Sequence, residues 1–213
     1  QDKRTHSLEE TVNDSDFIFV CVPTPQGDDG SIDLRYINKA VRNINLVNKR
    51  NDNIVILKST IIPGTTRILS EKYPNLNIVF NPEFLTERTA KLDFLTQARI
   101  VLGGPKRLTK RVAKLFEERF MHCYIIETNA ITAEMIKYMN NVFFASKVSI
   151  MNEMKMMCDA IGANWKQALK GFAADQRIGD SHLNVPGPDG RMGFGGSCFP
   201  KDINAFMSYA DEL

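Results

Sequence analysis

Short runs of consecutive apolar residues recur along the first part of the chain, separated by polar turns and by segments with helical periodicity. Runs that lack polar alternation are typical of strands buried on both faces, as in a parallel sheet. The pattern predicts strands in five segments: Asp16–Val22, Asn53–Thr60, Asn77–Phe80, Ala98–Leu102 and His122–Ile126.

Helical segments alternate with these strands. The first has the pattern of a short capped helix, with Ser7 as the N-cap and Glu10 at the third helical position. In the second, Ile37, Val41 and Ile44 fall on one helical face. The predicted helices are Ser7–Val12, Leu34–Val47, Thr65–Lys72 and Leu108–Phe120. This alternation predicts an α/β domain with a doubly wound parallel sheet over residues 1–128.

From about Asn129 the pattern becomes helical only. Ile131–Ala160 contains no Pro or Gly and predicts one long helix that ends at Gly162. Helical signals return in Asn164–Phe172 and Pro200–Leu213. The methionines of the long helix are interpreted as core-filling residues: Met135, Met139, Met151, Met154, Met156 and Met157. Residues 129–213 are therefore predicted to form a second, all-α domain.

Composition and charge exclude several classes of function. Hydrophobic residues make up 43% of the 213 residues and charged residues 24%, as in ordinary globular proteins. The formal net charge of +2 gives no support for nucleic-acid binding. No apolar stretch approaches the roughly 20 residues that span a membrane, and the first residues do not resemble a signal peptide. The four cysteines are scattered, which indicates reduced thiols in a cytoplasmic protein with no disulfide framework and no metal site.

The segment Gly193-Phe-Gly-Gly-Ser-Cys-Phe-Pro-Lys-Asp202 is the most informative part of the chain. Its three glycines permit close approach of a ligand and unusual backbone dihedrals. Pro200 and Asp202 both suit the first turn of a helix. Cys198 is thus predicted to stand just before a helix N-terminus, where backbone N–H groups and the dipole favour a thiolate nucleophile. Taken alone, Cys198 would be interpreted as a small buried hydrophobe and Asp202 as a surface acid; the glycine-rich context favours catalysis.

Gly193–Asp202 resembles the active-site signature of the UDP-glucose/GDP-mannose dehydrogenase family. Further stretches resemble the same family, in the family's order along the chain: Val22–Pro25, Asn81–Glu87, Glu134–Asn141 and Asp175–Gly179. One such stretch alone is a weak signal, but ordered matches over nearly the whole chain form a strong one. The aromatic Phe199 after the cysteine is more similar to the UDP-glucose branch than to the GDP-mannose branch.

The resemblance implies an NAD-dependent, four-electron oxidation of the C6 alcohol of a nucleotide sugar, as from UDP-glucose to UDP-glucuronate. Cys198 would attack the intermediate aldehyde, and hydride loss from the thiohemiacetal would give a thioester that water hydrolyses. Lys137 and Asn141 lie four residues apart, so both side chains project from one face of the long helix. They would stabilise the developing oxyanion.

The resemblance also assigns bases and binding residues. Asp202, with a water held by Thr60, would take the proton from the alcohol, and Glu83 would be the base for thioester hydrolysis. Substrate contacts would come from Phe84, Leu85, Thr86, Glu87, Arg177, Phe194 and Gly195. NAD contacts would come from Val22, Thr24, Pro25, Ser59, Thr60, Glu87, Cys198 and Lys201. The family's helical domain implies a homodimer, in which Arg177 would reach the sugar bound by the neighbouring subunit.

The cofactor half departs from the family's pattern. A dinucleotide-binding fold opens with a strand, Gly-x-Gly-x-x-Gly and a helix. This sequence contains no such segment, and its early glycines Gly27 and Gly30 lie in a loop after a different strand. We therefore expect an incomplete Rossmann-type sheet that begins after the first mononucleotide-binding half, with part of its core exposed.

Three alternatives remain. The nucleotide sugar could be GDP-mannose instead of UDP-glucose. A β-hydroxyacid or 6-phosphogluconate-type dehydrogenase also presents Lys and Asn on one helix face, but such two-electron enzymes need no nucleophilic thiol. A third alternative is a catalytically incomplete polypeptide that only folds, dimerises or binds a nucleotide sugar.

Overall fold

The computed structural model describes residues 6–213 and, of Glu87, only the backbone. One sheet contains β1 (Phe17–Val20), β2 (Ile54–Leu57), β3 (Asn77–Phe80), β4 (Arg99–Gly103) and β5 (Tyr124–Thr128). The helices within the described residues are α1 (Leu8–Asn13), α2 (Arg35–Val47), α3 (Thr65–Lys72), α4 (Ala90–Leu95), α5 (Lys106–Arg119), α6 (Ala130–Ile161), α7 (Trp165–Ala173) and α8 (Phe199–Asp211). A 3-10 turn, Glu87–Thr89, precedes α4. Every strand and helix predicted from the sequence is present, with small shifts at the ends.

The strands lie side by side in chain order, from β1 to β5. β1, β2 and β3 are parallel neighbours, and so are β4 and β5. β4 runs antiparallel to β3, where Phe80 is paired with Gly103. A parallel neighbour needs a crossover connection that packs on the sheet, whereas α4, between β3 and β4, buries none of its residues. The sheet is therefore mostly parallel, as predicted, with this one antiparallel pair.

Helices cover both faces of the sheet. On β2, Val55 joins a buried cluster with residues of α1, α2 and α3. Its neighbour Ile56 points to the opposite face, because side chains alternate along a strand, and joins a cluster with residues of α5. All four residues of β2 are at most 1% exposed, and full burial of one such side chain contributes about 1.5–3 kcal/mol. The doubly wound α/β arrangement predicted from the apolar runs is confirmed.

Local sequence signals account for most helix boundaries. α1 has the predicted capping box: the N–H of Glu10 donates to Ser7 Oγ at 3.1 Å, and the N–H of Ser7 donates to the Glu10 carboxylate at 2.7 Å. α2 buries Ile37, Val41 and Ile44, the residues that define its predicted apolar face. The sequence pattern does not predict α4, because a helix of six residues with no buried position carries no periodic signal.

β1 lies at one edge of the sheet, and this edge is partly open. Phe19 is 45% exposed although it belongs to the strand. Its ring contacts that of Phe116 edge-on, with centroids 6.4 Å apart. Phe19 is thus only partly covered, and the expected exposure of part of the sheet core stays a prediction.

The chain divides into two compact units. The first is the described part of Gln1–Lys137 together with Ala205–Leu213 and contains the sheet, and the second is Tyr138–Asn204. The second unit contains most of α6, all of α7 and no strand. Met151, Leu183 and Val185 form the buried core of this second unit. The sequence-predicted domain division, 1–128 and 129–213, stays a prediction.

The methionines of α6 do not all fill a core. Met151 is buried, whereas Met139, Met154, Met156 and Met157 are between 49% and 59% exposed. The core-filling interpretation is wrong for these four, because α6 presents them on an open surface. Despite this apolar surface, no helix within residues 6–213 has the length and apolar character needed to cross a membrane.

Candidate functional site

The carboxyl ends of three parallel strands bring together the first set of candidate residues. β1 leads into Val22–Pro25, β2 into Lys58–Thr60 and β3 into Asn81–Glu83. Ser59 Oγ donates to the carbonyl of Val22 at 2.6 Å, which ties the first two loops together. Open α/β sheets bind their ligands at this edge. The edge therefore gathers several residues predicted for the cofactor and one predicted base, Glu83.

Lys137 is anchored to the turn that follows β3. It is 4% exposed, and its Nζ donates to the backbone carbonyl of Glu83 at 2.7 Å and to the Glu83 carboxylate at 3.2 Å. The same ammonium lies 5.6 Å from the ring centroid of Phe84. The other carboxylate oxygen of Glu83 accepts from the N–H of Leu85 at 2.7 Å. Lys137 is therefore not a solvated surface charge, and charge-assisted hydrogen bonds hold its position.

Glu134, three residues before Lys137 on α6, holds the start of this helix against α3. It is fully buried, and its carboxylate accepts from the N–H groups of Gly64 and Thr66 at 2.6 and 2.8 Å. Gly64 is the N-cap of α3 and has no side chain to satisfy these donors. Burial raises the pKa of Glu134, although the hydrogen bonds from Thr66 and Gly64 oppose the shift. Glu134 therefore acts as a remote cap.

Sequence reasoning missed both Glu134 and Lys58. Lys58 directly follows β2, and its Nζ donates to Asn81 Oδ1 at 2.8 Å. A signal for Glu134 was present: α3 begins after Pro63-Gly64, which offers no capping oxygen of its own, so a distant acceptor was required. For Lys58, a basic residue at the carboxyl end of a buried strand was the available signal.

In the second unit, Asn141 and Asp202 form a buried polar pair. Asn141 Nδ2 donates to Asp202 Oδ2 at 2.6 Å, and the two residues are 4% and 1% exposed. The ammonium of Lys201 donates to the other oxygen of Asp202. Each carboxylate oxygen thus has a donor, as burial of a charged group requires. The interpretation of Asp202 as a surface acid is wrong.

Cys198 occupies the predicted place at the start of a helix. Phe199 is the first residue of α8, and the first helical bond runs from the N–H of Asp202 to the carbonyl of Cys198 at 2.9 Å. The thiol is exposed, so the interpretation of Cys198 as a buried hydrophobe is wrong. Ser197 Oγ lies 3.7 Å from the sulfur. An exposed thiol at a helix N-terminus can serve as a nucleophile.

The glycines before Cys198 are required by the backbone. Gly193 and Gly196 have φ of 81° and 79°, in the left-handed region that disfavours side chains. The N–H of Gly193 donates to Asn152 Oδ1 at 2.9 Å, which fixes the loop to α6. Phe194 is partly buried and Gly195 is exposed.

The predicted substrate segment after Glu83 is partly accessible. Phe84 and Leu85 line a small cavity together with Asp93. The backbone N–H of Thr86 is already bonded to the Asp93 carboxylate at 2.7 Å. The side chain of Glu87 lies outside the described residues.

The remaining predicted binding residues differ in their exposure and contacts. Arg177 has an 89% exposed side chain that pairs through two nitrogens with Asp175. Thr24 is buried, Thr60 is partly buried and Pro25 is exposed at the carboxyl edge of the sheet. Within the chain, Arg177 therefore serves to stabilise its own turn.

Two family models match the chain. Residues 3–120 match the UDP-glucose/GDP-mannose dehydrogenase family, NAD binding domain. Residues 131–213 match the central domain of the same family. Together the two matches cover most of the chain.

Curated relatives carry names from this family. The chain is 40% identical over 220 residues to a UDP-glucose 6-dehydrogenase of Rickettsia prowazekii, covering 99% of the chain and 48% of that protein. It is 36% identical to the UDP-glucose 6-dehydrogenase AglM of Haloferax volcanii, covering 94% and 49%. The chain thus spans about half the length of these relatives.

Solved structures show the same likeness. A UDP-glucose dehydrogenase from Pyrobaculum islandicum superposes with a TM-score of 0.80 at 32% identity, covering 98% of this chain and 49% of that one. A GDP-mannose dehydrogenase from Pseudomonas aeruginosa gives 0.71 at 30% identity, covering 96% and 49%. The 3-hydroxyisobutyrate dehydrogenase of Mycobacterium tuberculosis also gives 0.71, covering 97% and 70%, but at 18% identity this likeness concerns the fold alone.

Proposed function

The chain belongs to the UDP-glucose/GDP-mannose dehydrogenase family, and on that premise we propose that it carries the catalytic residues for oxidation of UDP-glucose to UDP-glucuronate with NAD. The observation that carries the proposal is the exposed thiol of Cys198 at the start of α8, one turn before the buried carboxylate of Asp202. A nucleophile is needed for the second, aldehyde-to-acid oxidation. A simple two-electron alcohol dehydrogenase has no use for one.

Cys198 supplies covalent catalysis. Its thiolate forms a C–S bond with the aldehyde carbon, and the carbonyl oxygen takes a proton to give a thiohemiacetal. Loss of a hydride from that carbon, and of the hydroxyl proton, leaves a thioester. Water then adds to the thioester, the C–S bond breaks, and the carboxylate and the free thiol are released.

Lys137 and Asn141 serve as donors to the oxygen that becomes negative during these steps. Burial supports this role, because Lys137 and Asn141 are each 4% exposed. A carboxylate also fixes each donor: Glu83 accepts from Lys137, and Asp202 accepts from Asn141. Fixed donors in a site with little water are worth about 3–4 kcal/mol each in comparable enzymes. Neither side chain needs to reorganise as charge develops.

Asp202 and Glu83 are proposed as the two bases. Asp202, with a water held by Thr60, takes the proton of the alcohol, and Glu83 activates the water that hydrolyses the thioester. Each general base contributes about 10²–10⁴ in rate. Both carboxylates are held in place by two hydrogen bonds, one from a backbone or amide N–H and one from a lysine.

NAD is the proposed cofactor, and when bound it accepts the hydrides that leave the C6 carbon. The carboxyl edge of the sheet fits part of a dinucleotide, because Ser59 places a hydroxyl group there beside the backbone of Val22 and Thr24 follows in the same loop. The sequence contains no Gly-x-Gly-x-x-Gly turn for the pyrophosphate. The proposed contacts are Val22, Thr24, Pro25, Ser59, Thr60, Glu87, Cys198 and Lys201.

The nucleotide sugar is proposed to lie against the backbone of Phe84–Glu87 and against Phe194 and Gly195. Arg177 is proposed to reach the sugar of a neighbouring subunit, which its 89% exposed side chain supports. UDP-glucose is favoured over GDP-mannose by Phe199 and by the relatives named UDP-glucose 6-dehydrogenase.

A homodimer is proposed from the surface of α6. An apolar stripe with helical spacing runs along one side of the helix and is exposed by 49–74%: Met139, Phe143, Ile150, Met154, Met157 and Ile161. Continuous exposed apolar patches of this kind mark interaction surfaces. We further propose a cytoplasmic enzyme whose NAD domain and helical domain divide near residue 128.

Cys198→Ser in the intact protein tests the covalent mechanism. We expect wild type to form two NADH for each UDP-glucose consumed. The variant should lose this turnover and still bind UDP-glucose in calorimetry, because serine preserves the loop. Cys158→Ser, at a partly buried thiol on α6, is the matched control and should keep wild-type activity. Normal four-electron turnover by Cys198→Ser would refute the role of the thiol.

The same assay separates the alternatives. NADH formation with GDP-mannose but not with UDP-glucose would change the substrate. Activity of the intact protein, and none of the 213-residue polypeptide, would favour a polypeptide that only folds and binds. That second candidate is considered because these 213 residues contain no Gly-x-Gly-x-x-Gly segment.

A further inference from the structure

The turn that follows β3 contacts a second ammonium group besides that of Lys137, which belongs to Lys58. Its Nζ lies 2.8 Å from Asn81 Oδ1 and 3.3 Å from the carbonyl oxygen of Asn81. Burial lowers the pKa of Lys58, Lys137 lowers it further, and Cys21 and Glu83 act in the opposite direction. A mostly buried ammonium therefore lies within electrostatic reach of the proposed base Glu83 and the proposed donor Lys137.

Asn81 is set rigidly by its other contacts. It is 2% exposed, its N–H donates to the carbonyl of Leu57 at 2.8 Å, and its Nδ2 donates to the carbonyl of Val101 at 2.8 Å. Lys58 supplies the donor to the two remaining polar atoms, Oδ1 and the backbone carbonyl oxygen. Without Lys58, a buried acceptor would lose its hydrogen bond.

The turn Asn81–Glu83 links the fixed position of Asn81 to that of the proposed base Glu83. Pro82 has a fixed φ and no N–H, so the position of Asn81 strongly limits that of Glu83. The carbonyl and carboxylate of Glu83 accept from Lys137. Lys58 and Lys137 thus donate hydrogen bonds to opposite ends of one three-residue turn, Lys58 to Asn81 and Lys137 to Glu83.

We infer that Lys58 is a positioning residue, which sets Glu83 and Lys137 for catalysis through its hydrogen bonds to Asn81; this role rests on the function proposed above. A neutral donor would satisfy Asn81 with less cost of desolvation. The ammonium makes the bonds charge-assisted and correspondingly strong, which suits a turn that must keep two catalytic groups in place. Small displacements of such groups are costly, since about 1 Å of misplacement reduces rates by about 100-fold.

The test compares Lys58→Met, which removes charge and donors, with Lys58→Arg, which keeps both. Lys114→Met, at an exposed lysine of α5, is the control. In the intact protein, we expect Lys58→Met to lower kcat for UDP-glucose by about 10- to 100-fold, with KM changed by less than about 3-fold. Lys58→Arg should recover most of kcat. The control should behave as wild type.

Amide hydrogen exchange provides a readout that does not depend on activity. In Lys58→Met the segment 81–87 should exchange faster, while the rest of the sheet keeps wild-type protection. Faster exchange in an intact protein that forms no NADH would support the positioning and refute the proposed function, so the two failures are distinguishable. Unchanged kcat and unchanged exchange in Lys58→Met would overturn the inference. Equal loss of activity in both Lys58 variants, with exchange raised throughout the protein, would assign Lys58 to general stability and would also overturn it.

Discussion

The ammonium of Lys137 contacts Glu83 twice, at the backbone carbonyl (2.7 Å) and at the carboxylate (3.2 Å). The two residues are 54 positions apart in sequence, so this contact couples the first turns of α6 to the turn after β3. A lysine with four rotatable bonds is a poor catalytic donor unless its position is restricted. Glu83 provides that restriction and balances the charge of the buried ammonium group.

Lys137→Met should therefore remove catalysis more than it removes binding. We expect kcat for UDP-glucose to fall by about 10²–10³, the effect of removing one fixed oxyanion donor. Steady-state NADH formation by the intact protein measures it. Lys110→Met, at an exposed lysine of α5, is the matched control. A variant at position 137 with wild-type kcat would contradict the donor role.

Glu134→Ala should loosen α3. The change leaves the N–H groups of Gly64 and Thr66 without their acceptor, and an unsatisfied buried donor costs about 1–3 kcal/mol. Urea unfolding should show a loss of about that size. Glu118→Ala, at an exposed glutamate of α5, should change the free energy of unfolding by less than about 0.5 kcal/mol. Equal stability of the two variants would show that Glu134 does not cap α3.

Contacts between neighbours in sequence were predictable, and those between distant residues were not. The capping box of Ser7 and Glu10 and the position of Cys198 before α8 depend on residues within one turn, and both predictions are confirmed. The alternation of apolar runs with helical segments likewise predicted the sheet. Each of these features leaves a local signature in composition or spacing.

Glu134 and Lys58 show what the pattern could not reveal. Glu134 bonds to groups 68 and 70 positions away, and Lys58 bonds to one 23 positions away. No periodicity encodes such pairs, because they exist only once the strands and helices have been placed. The antiparallel pairing of β4 with β3 was missed for the same reason, since it depends on how the intervening segment packs.

The lowered pKa of Lys58 predicts a specific dependence of stability on pH. Burial penalises its charged form, so the unfolded chain holds this proton more strongly than the folded one does. Between the lowered pKa and the ordinary value of 10.5, the free energy of unfolding should rise with pH. The difference between wild type and Lys58→Met, measured by urea unfolding at pH 8 and pH 10, should shift in favour of wild type. A difference that stays constant, or shifts the other way, contradicts the burial of a charged lysine.

The apolar stripe of α6 predicts a dimer that charge can separate. Phe143→Lys with Met154→Lys places two ammonium groups in a surface now lined by apolar side chains, and both residues are about half exposed or more. Sedimentation velocity should show a monomer for this variant and a dimer for wild type. Leu46→Lys, at a 69% exposed leucine on α2, should leave the dimer intact. If Leu46→Lys were a monomer and the Phe143→Lys, Met154→Lys variant remained a dimer, the dimer interface would not lie on the apolar stripe of α6.

The pair of Asn141 and Asp202 allows stability and catalysis to be separated by an exchange of side chains. Asn141→Asp alone brings two carboxylates together in a buried site, and an uncompensated buried charge costs about 3–5 kcal/mol. Asn141→Asp with Asp202→Asn restores one amide facing one carboxylate, so the double variant should unfold at a urea concentration much closer to that of wild type.

The activity of the double variant should not recover together with its stability. In the exchanged pair, Lys201 faces an amide and the base stands on α6 in place of α8, so the alcohol proton has no acceptor at the start of α8. We expect NADH formation to remain lower than wild type by about 10²–10⁴, with stability largely recovered. Recovery of both would mean that the pair acts only as a buried hydrogen bond, and loss of both would mean that Lys201 requires the carboxylate at position 202 for folding.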